Sequence, residues 1–458
     1  MKDKVSELCG KLYDIAKAEP ERRFHSLYDK IQRMDVLEHA WVSVMKNGGL
    51  PGIYGITIKE LKKNGIEPLL TEIQSELKSR TYKPSPLKRV YIPKTNGKKR
   101  PLSIPTVKDR ITQTAIKTII EPIFESGFEP NSFGFRPDKS AHNAVDEIVK
   151  YLNFGCENII DADITACFDN IDKHKLMEQV AKRISDGAIL HIIRQFLDAG
   201  IMEDNGIHSQ DKGTPQGSPL SPLLANIYLD QLDKQWKASG LQKRYTENAH
   251  LIRYADDFLI LMTGNPAVAK KKLDEIMENI GLTMNTEKTR IVRAEEGFDF
   301  LGFWFVRQYS QWRRKRVTRW FPSPKSEKRI REKILNLTNN RVRSLMTPEE
   351  AKEMLIPVLG GWGNYFEHSL ASNIFTGIWE YAQCRLMYMY CHQHNIPHTW
   401  KNRDIPDRLS IMKTKPHTFL GKRHNTMSSM QSVSAMRENR SLRSTRGLCV
   451  TAEFYSIN

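Results

Sequence analysis

The sequence predicts an α+β protein whose C-terminal part is helical and strongly basic, and three observations predict it. Between residues 156 and 305, short apolar runs of strand length alternate with segments whose apolar residues recur at helical spacing. Strands interleaved in this way with helices form a sheet covered by helices on one face. Beyond Arg307 the composition changes: residues 307–346 hold 13 Lys and Arg against two acids, Glu327 and Glu332, a local excess of +11. Thr347-Pro348-Glu349-Glu350 then reads as a capping box, and helical patterning continues to about 405.

The elements follow in order. Leu8, Leu12 and Ile15, then Leu27, Ile31 and Met34, predict helix in the first forty residues. Gly48-Gly49-Leu50-Pro51-Gly52 breaks it. Lys88-Arg89-Val90-Tyr91-Ile92-Pro93, a turn through Asn96-Gly97, and Lys98-Lys99-Arg100-Pro101-Leu102 predict a basic hairpin. A helix over 107–125 places Ile111, Ala115, Thr118 and Ile119 inward. Residues 158–164 form an apolar strand that carries acids, and Asp172 caps the next helix, through Leu176, Val180 and Ile184. Ser221-Pro222 opens a helix with Ala225, Leu229, Leu232 and Trp236 on one stripe. His250 to Met262 reads as two strands around Ala255-Asp256-Asp257. Asn265-Pro266 starts a helix through Ala269, Leu273, Ile276 and Ile280, stopped by Gly281. From 406 onwards Ser, Asn, Arg and Lys predict a loosely ordered basic tail.

Composition narrows the function classes. The 458 residues are 40% hydrophobic, enough for two or three packed units. A net charge of +17 points to a polyanionic partner, nucleic acid above all. No apolar run of about 18 residues occurs, and the N-terminus is polar, so no membrane span, membrane partner or secretory signal is expected. The six cysteines contain no C-x-x-C pair, which fits reduced thiols in a cytoplasm. Cys391, His392 and His394, with His398 nearby, crowd one short stretch and suit a helix end better than tetrahedral zinc.

The acids carry the chemistry. Successive strand residues face opposite sides, so Asp161 and Asp163 point one way while Ile160, Ala162 and Ile164 face the core. Asp256 and Asp257 cluster in a turn between apolar strands. Aspartate is also an ordinary turn residue, and the pair alone is explained as well by a hairpin turn. Carboxylates held together repel, and a divalent cation relieves them; hard oxygen ligands suit Mg²⁺.

Read together, these segments resemble the reverse transcriptases encoded by bacterial group II introns. Tyr254-Ala255-Asp256-Asp257 is similar to their signature hairpin, and Asp163 through Ile171 to their first catalytic motif. In that register the metal-binding aspartate stands five residues before an aromatic, which selects Asp163 over Asp161 because Phe168 is at +5. Thr214-Pro215-Gln216-Gly217-Ser218-Pro219-Leu220-Ser221-Pro222 is similar to the motif lining the templating site. Residues 92–101 resemble the fingers hairpin, Gly134-Phe135-Arg136-Pro137 another typical segment, and Phe300-Leu301-Gly302-Phe303 the primer-gripping turn. Gly360-Gly361-Trp362-Gly363-Asn364-Tyr365-Phe366 is similar to a recurring thumb segment.

The resemblance spans about residues 40–400. It implies a right-hand polymerase: an N-terminal helical extension (1–40), fingers and palm (41–306), an all-helical thumb or maturase domain (307–405) and a basic tail (406–458). The implied activity is RNA-directed DNA synthesis by two Mg²⁺ ions, with Mn²⁺ able to substitute, at a site of Asp163, Ile164, Asp256 and Asp257. Lys288 is implied to protonate the departing pyrophosphate. The resemblance also implies that Lys94 and Arg100 hold the triphosphate, that Phe168 lies under the incoming sugar and that Gln216 contacts the nascent base pair. Arg313, Arg314, Arg316, Arg329 and Arg331 belong to the basic segment expected to bind RNA. The implied partners are an RNA template, a DNA or RNA primer, the parent intron RNA and target DNA, in a bacterial cytoplasm and on the nucleoid when DNA is bound. Relatives that cut the second DNA strand carry a nuclease domain with paired cysteines, which these residues lack, so that cleavage is not expected. A splicing factor with secondary polymerase activity, or a domesticated enzyme of DNA repair or phage defence, would share the same motifs.

Overall fold

The computed structural model describes residues 4–93, 99–203, 206–208, 212–339, 345–396 and 409–411. They fall into two compact units, the first ending at Arg293 and the second beginning at Ala294. Strands β1 (Leu87–Pro93), β2 (Lys99–Ile104), β3 (Asn158–Asp163), β4 (Ile201–Glu203), β5 (Gly206–His208), β6 (His250–Tyr254), β7 (Asp257–Met262) and β8 (Arg290–Arg293) belong to the first. The second contains β9 (Phe298–Phe300), β10 (Phe303–Ser310) and β11 (Lys315–Pro322), followed by helices Pro324–Thr338, Pro348–Phe366 and Ser372–Gln393.

The first unit has two sheets. One has the order β2-β1-β4-β5, and its hairpin register pairs Pro93 with Lys99 and Lys88 with Ile104. The other has the order β6-β7-β3-β8. Ile159, Ile160 and Ala162 of β3 and Phe258 through Met262 of β7 are buried, so the centre of this sheet is apolar on both faces. Helix Ser221–Ala238 buries the expected Ala225, Leu229, Leu232 and Trp236, and Trp236 donates its indole N–H to the Ala249 carbonyl at 3.3 Å. Ser221 is its first helical residue, with Leu220 at the N-cap and Pro222 in the first turn, where a missing N–H costs no intrahelical bond.

The N-terminal helices share this core rather than standing apart from it. Helix Lys4–Ala18 buries Val5, Leu12 and Ala16 and leaves Ile15 exposed, since Ile15 lies about 100° round the helix from Ala16. Helix Val107–Glu125 is enclosed almost all round, with Ile111, Ala115 and Ile119 fully buried and Thr118 half-buried.

In the second unit the expected boundary at 306/307 falls inside β10, and residues 307–322 belong mainly to a hairpin instead of a helix. The alternation of Phe303, Phe305 and Arg307 has the strand period of two, and high charge does not oppose a strand whose outer end meets water. The thumb-like aromatics form a cluster: Phe303 meets Tyr365 and Phe366, and Trp362 meets Phe366 and Phe375. Trp362 and Tyr365 thus contribute to packing, and Tyr365 donates to the Leu301 carbonyl at 2.9 Å. Cys391 is buried at the end of helix Ser372–Gln393, while His398 and nearly all of the basic tail lie outside the described residues.

Candidate active site

Register brings the acids together. Antiparallel pairing of β3 with β7 places Asp163 opposite Asp257 and Asp161 opposite Leu259. Tyr254 pairs with Asp257, so Ala255 and Asp256 form a two-residue hairpin turn. Such turns need positive φ, and Ala255 supplies it at φ 59. A left-handed alanine is held there by its surroundings. The 131–134 segment lies along β6, where Arg253 N–H donates to the Asn131 carbonyl at 3.0 Å and Phe133 N–H to the Arg253 carbonyl at 2.8 Å. A Cβ on Gly134 would sit 2.3 Å from the Ala255 nitrogen, so only glycine fits.

Beneath the turn lies a buried ion pair that the sequence reading did not find. Arg253 and Asp233 are each 1% exposed, and the guanidinium holds the carboxylate with both Nε (3.0 Å) and Nη2 (2.5 Å). Arg253 Nη1 also donates to Asn226 Oδ1 and to the Ala255 carbonyl, both at 3.0 Å, and Asn226 donates to the Gly134 carbonyl at 2.8 Å. Arg253 therefore ties the acidic turn to helix Ser221–Ala238. One signal was available: an arginine inside an apolar strand needs an acidic partner. Its spacing from Asp233 gave no clue to which acid.

The electrostatics are those of crowded carboxylates. Asp257 reaches solvent, yet the protein around it and the charges of Asp256, Asp163 and Asp161 push its pKa up to about 6, with Lys288 opposing them. Lys288 donates to both oxygens of Asp163 at 3.1 and 3.0 Å, whereas Asp161 is matched to Arg290 at 3.4 Å. Ile164 is buried, so only its main chain can serve as a ligand. The bridge to Met284 uses the Asp163 carbonyl and the Thr165 amide. Carbonyls alternate along a strand, so that of Ile164 is aimed to the opposite side, where β7 lies. Cys167, beside Asp256, is pushed by burial to about 12 and stays a neutral thiol.

Among the described residues no three His, Cys, Asp or Glu side chains converge closely enough to hold one ion by themselves. The donor set fits a small divalent cation nonetheless. All the donors are hard oxygens, the carboxylates of Asp256, Asp163 and Asp161 crowd Asp257 more than Lys288 relieves it, and small divalent ions take one or two carboxylates and complete their shell with water and substrate phosphate. The raised Asp257 has a consequence for stability. Its unfolded pKa is about 3.9, so the folded state disfavours the anion, and the penalty grows as pH rises from there through about 6. In chelator, Asp257→Asn should raise the Tm at pH 7–8 relative to wild type, and this gain should vanish below about pH 4. A Tm difference independent of pH would contradict the crowding.

The other expected substrate residues lie around this centre, except that Lys94 is outside the described residues. Phe168 is half-buried in the short helix Cys167–Asn170, and its carbonyl accepts the Thr214 amide at 2.7 Å. Gln216 is held at both ends of its amide: Arg100 Nε donates to its Oε1 at 3.1 Å, and its Nε2 donates to Asp169 at 3.3–3.4 Å. Its backbone carbonyl accepts the Ser103 amide at 2.7 Å, so the segment after Gly213 is fixed to β2. Asp169, adjacent to the expected gate, thus joins the site as an orienting carboxylate. In the second unit Arg313, Arg314 and Arg329 are exposed. Arg316 reaches Glu295 at 3.6 Å, and Arg331 lies over the Tyr381 ring with Glu327 at 3.9 Å.

Comparison with known proteins identifies the family. The family described as "Reverse transcriptase (RNA-dependent DNA polymerase)" matches residues 92–305, and "Group II intron, maturase-specific domain" matches residues 327–404. Protein YkfC of Escherichia coli (strain K12) is 32% identical over 357 residues, covering 70% of this chain and 93% of YkfC. The group II intron-encoded protein LtrA of Lactococcus lactis subsp. cremoris is 42% identical over 214 residues, 46% of this chain and 35% of LtrA. A putative COX1/OXI3 intron 2 protein of Saccharomyces cerevisiae is 30% identical over 287 residues, 51% of this chain and 34% of that protein. The chain thus spans about a third of the length of the latter two. No helix among the described residues is long and apolar enough to cross a membrane. With a reverse-transcriptase domain followed by a maturase-specific domain, the chain belongs to the group II intron reverse transcriptases.

Proposed function

We propose that the chain is an RNA-directed DNA polymerase that uses Mg²⁺, with Mn²⁺ able to replace it, and that it also binds its intron RNA to support splicing and retrohoming. The observation that supports this best is the pairing of Asp163 with Asp257 beside Asp256, at the end of a sheet whose β7 strand is buried and apolar from Phe258 to Met262. When bound there, two divalent ions would supply charge to the primer hydroxyl and to the leaving pyrophosphate. Asp163, Asp256, Asp257 and the Ile164 carbonyl would hold them. Lys288, an exposed ammonium already on Asp163, is placed to give a proton to the departing oxygen. Arg100 presents a planar fork to the triphosphate together with Lys94. Gln216, whose amide is held by Arg100 and Asp169, would contact the nascent base pair. The first unit then corresponds to an N-terminal extension (1–40), fingers and palm, and the helices of the second, of which Pro324–Thr338 is the basic one, to the thumb, ahead of the tail from 406.

Phe168 tests the substrate. A ring under the sugar excludes a 2′-hydroxyl by bulk, so Phe168→Val should admit ribonucleotides while deoxynucleotide incorporation survives. Primer extension on an RNA template with each nucleotide set measures this. Unchanged selectivity would remove Phe168 from the sugar site.

A further inference from the structure

Hairpin β10–β11 has two halves of different character. Near its base Phe303 and Phe305 are fully buried and Val306 nearly so. Beyond Arg307 the strands continue through the pairs Gln308–Val317, Tyr309–Arg316 and Ser310–Lys315, where side chains are half-buried or exposed. Tyr309 is 62% exposed and Trp312, in the turn, 50%. The Arg313 guanidinium lies 5.9 Å from the Trp312 ring centroid. From Phe300 to Ser326 the chain holds seven Lys and Arg and no acid. The turn also uses costly chemistry. Glycine or asparagine is the economical residue at positive φ, yet Arg314 occupies that conformation at φ 49. The four consecutive cations Arg313 to Arg316 repel one another at the turn, and of them Arg316 reaches an acid, Glu295, at 3.6 Å.

Building on the reading of the chain as an RNA-binding enzyme, we infer that this tip is a stacking site for unpaired bases of single-stranded RNA. Trp312 and Tyr309 offer flat apolar faces, and every base has a π-face to set against them. Arg313, Arg314 and Lys315 lie within a few residues of both rings, where the phosphates of a strand with splayed bases would run. A paired RNA duplex offers phosphates but buries its base faces, so the aromatic pair would contribute nothing to it. Charge alone therefore explains binding to either form, whereas the rings explain a preference for single strands.

The test uses the full chain and fluorescence anisotropy with a short labelled oligoadenylate RNA, beside a blunt RNA duplex of equal length, across salt concentrations. Trp312→Ala should weaken single-strand binding about tenfold, the scale of losing one stacked base. Its salt dependence should be unchanged and its duplex affinity close to wild type. Trp312→Phe should restore most of the loss. Arg313→Gln with Arg314→Gln should instead flatten the salt slope, by roughly 0.7 per lost phosphate contact. If Trp312→Ala binds single strands as wild type does, or loses duplex equally, the stacking site is overturned even where the arginine variants flatten the slope. If the arginine variants also leave the slope intact, RNA binding at this hairpin fails as well.

Discussion

Asp163→Asn should abolish primer extension, while Asp161→Asn on the same face of the same strand leaves it measurable. The two side chains are one strand repeat apart, but their surroundings differ. Asp161 stands opposite Leu259 and its charge is matched by Arg290 at 3.4 Å. Asp163 stands opposite Asp257 and is reached by Lys288 at 3.0 Å. Removing its charge takes a ligand from the point where positioning and charge stabilisation provide nearly all the rate. Removing that of Asp161 frees Arg290 and relieves a little of the repulsion on Asp257. Single-turnover extension by purified, folded variants measures both. The reverse ranking would move the metal site by one strand repeat and take Phe168 out of the gate.

The second large effect is on the buried pair. Arg253→Ala leaves the Asp233 carboxylate at 1% exposure with its partner gone, which costs on the order of 3–5 kcal/mol. Arg253→Lys keeps the charge, but an ammonium lacks the planar fork that grips Asp233 at two points while reaching Asn226 and the Ala255 carbonyl. The lysine variant should remain folded and lose extension rate, because the left-handed Ala255 is less firmly held, with template affinity little changed. Denaturant unfolding and extension kinetics separate the two effects. Wild-type rate and stability in Arg253→Lys would show that the turn holds itself.

The site was legible in the sequence where chemistry and spacing coincide along the chain. The two short apolar runs flanking Ala255-Asp256-Asp257 marked the hairpin, and the shared face of Asp161 and Asp163 followed from the strand period. Asn265 and Gly281 marked the ends of their helix because capping is local chemistry. Features assembled by tertiary contact were not legible. Gly134 lies against Ala255 and Arg253 against Asp233 through pairings that no local pattern encodes. The same holds for the amide of Gln216, clamped between Arg100 and Asp169 from two other segments. In the 307–322 segment charge density hid a strand period, so a hairpin passed for part of a helical domain. At Ile15 the helix was read correctly and its buried face was not, because Ala16 makes as good a contact residue as a larger neighbour where helices approach closely.

The central claim is that synthesis and RNA binding reside in separate groups of residues. Asp256 belongs to the acidic turn, where an anion would repel a phosphate, whereas the dense positive charge follows Arg307. The most direct measurement is filter binding of RNA across salt concentrations beside primer extension, on the same preparations of wild type and Asp256→Ala. Asp256→Ala should yield no extension product while its RNA affinity and salt slope match wild type. A folded Asp256→Ala protein that loses RNA binding together with synthesis would contradict the account.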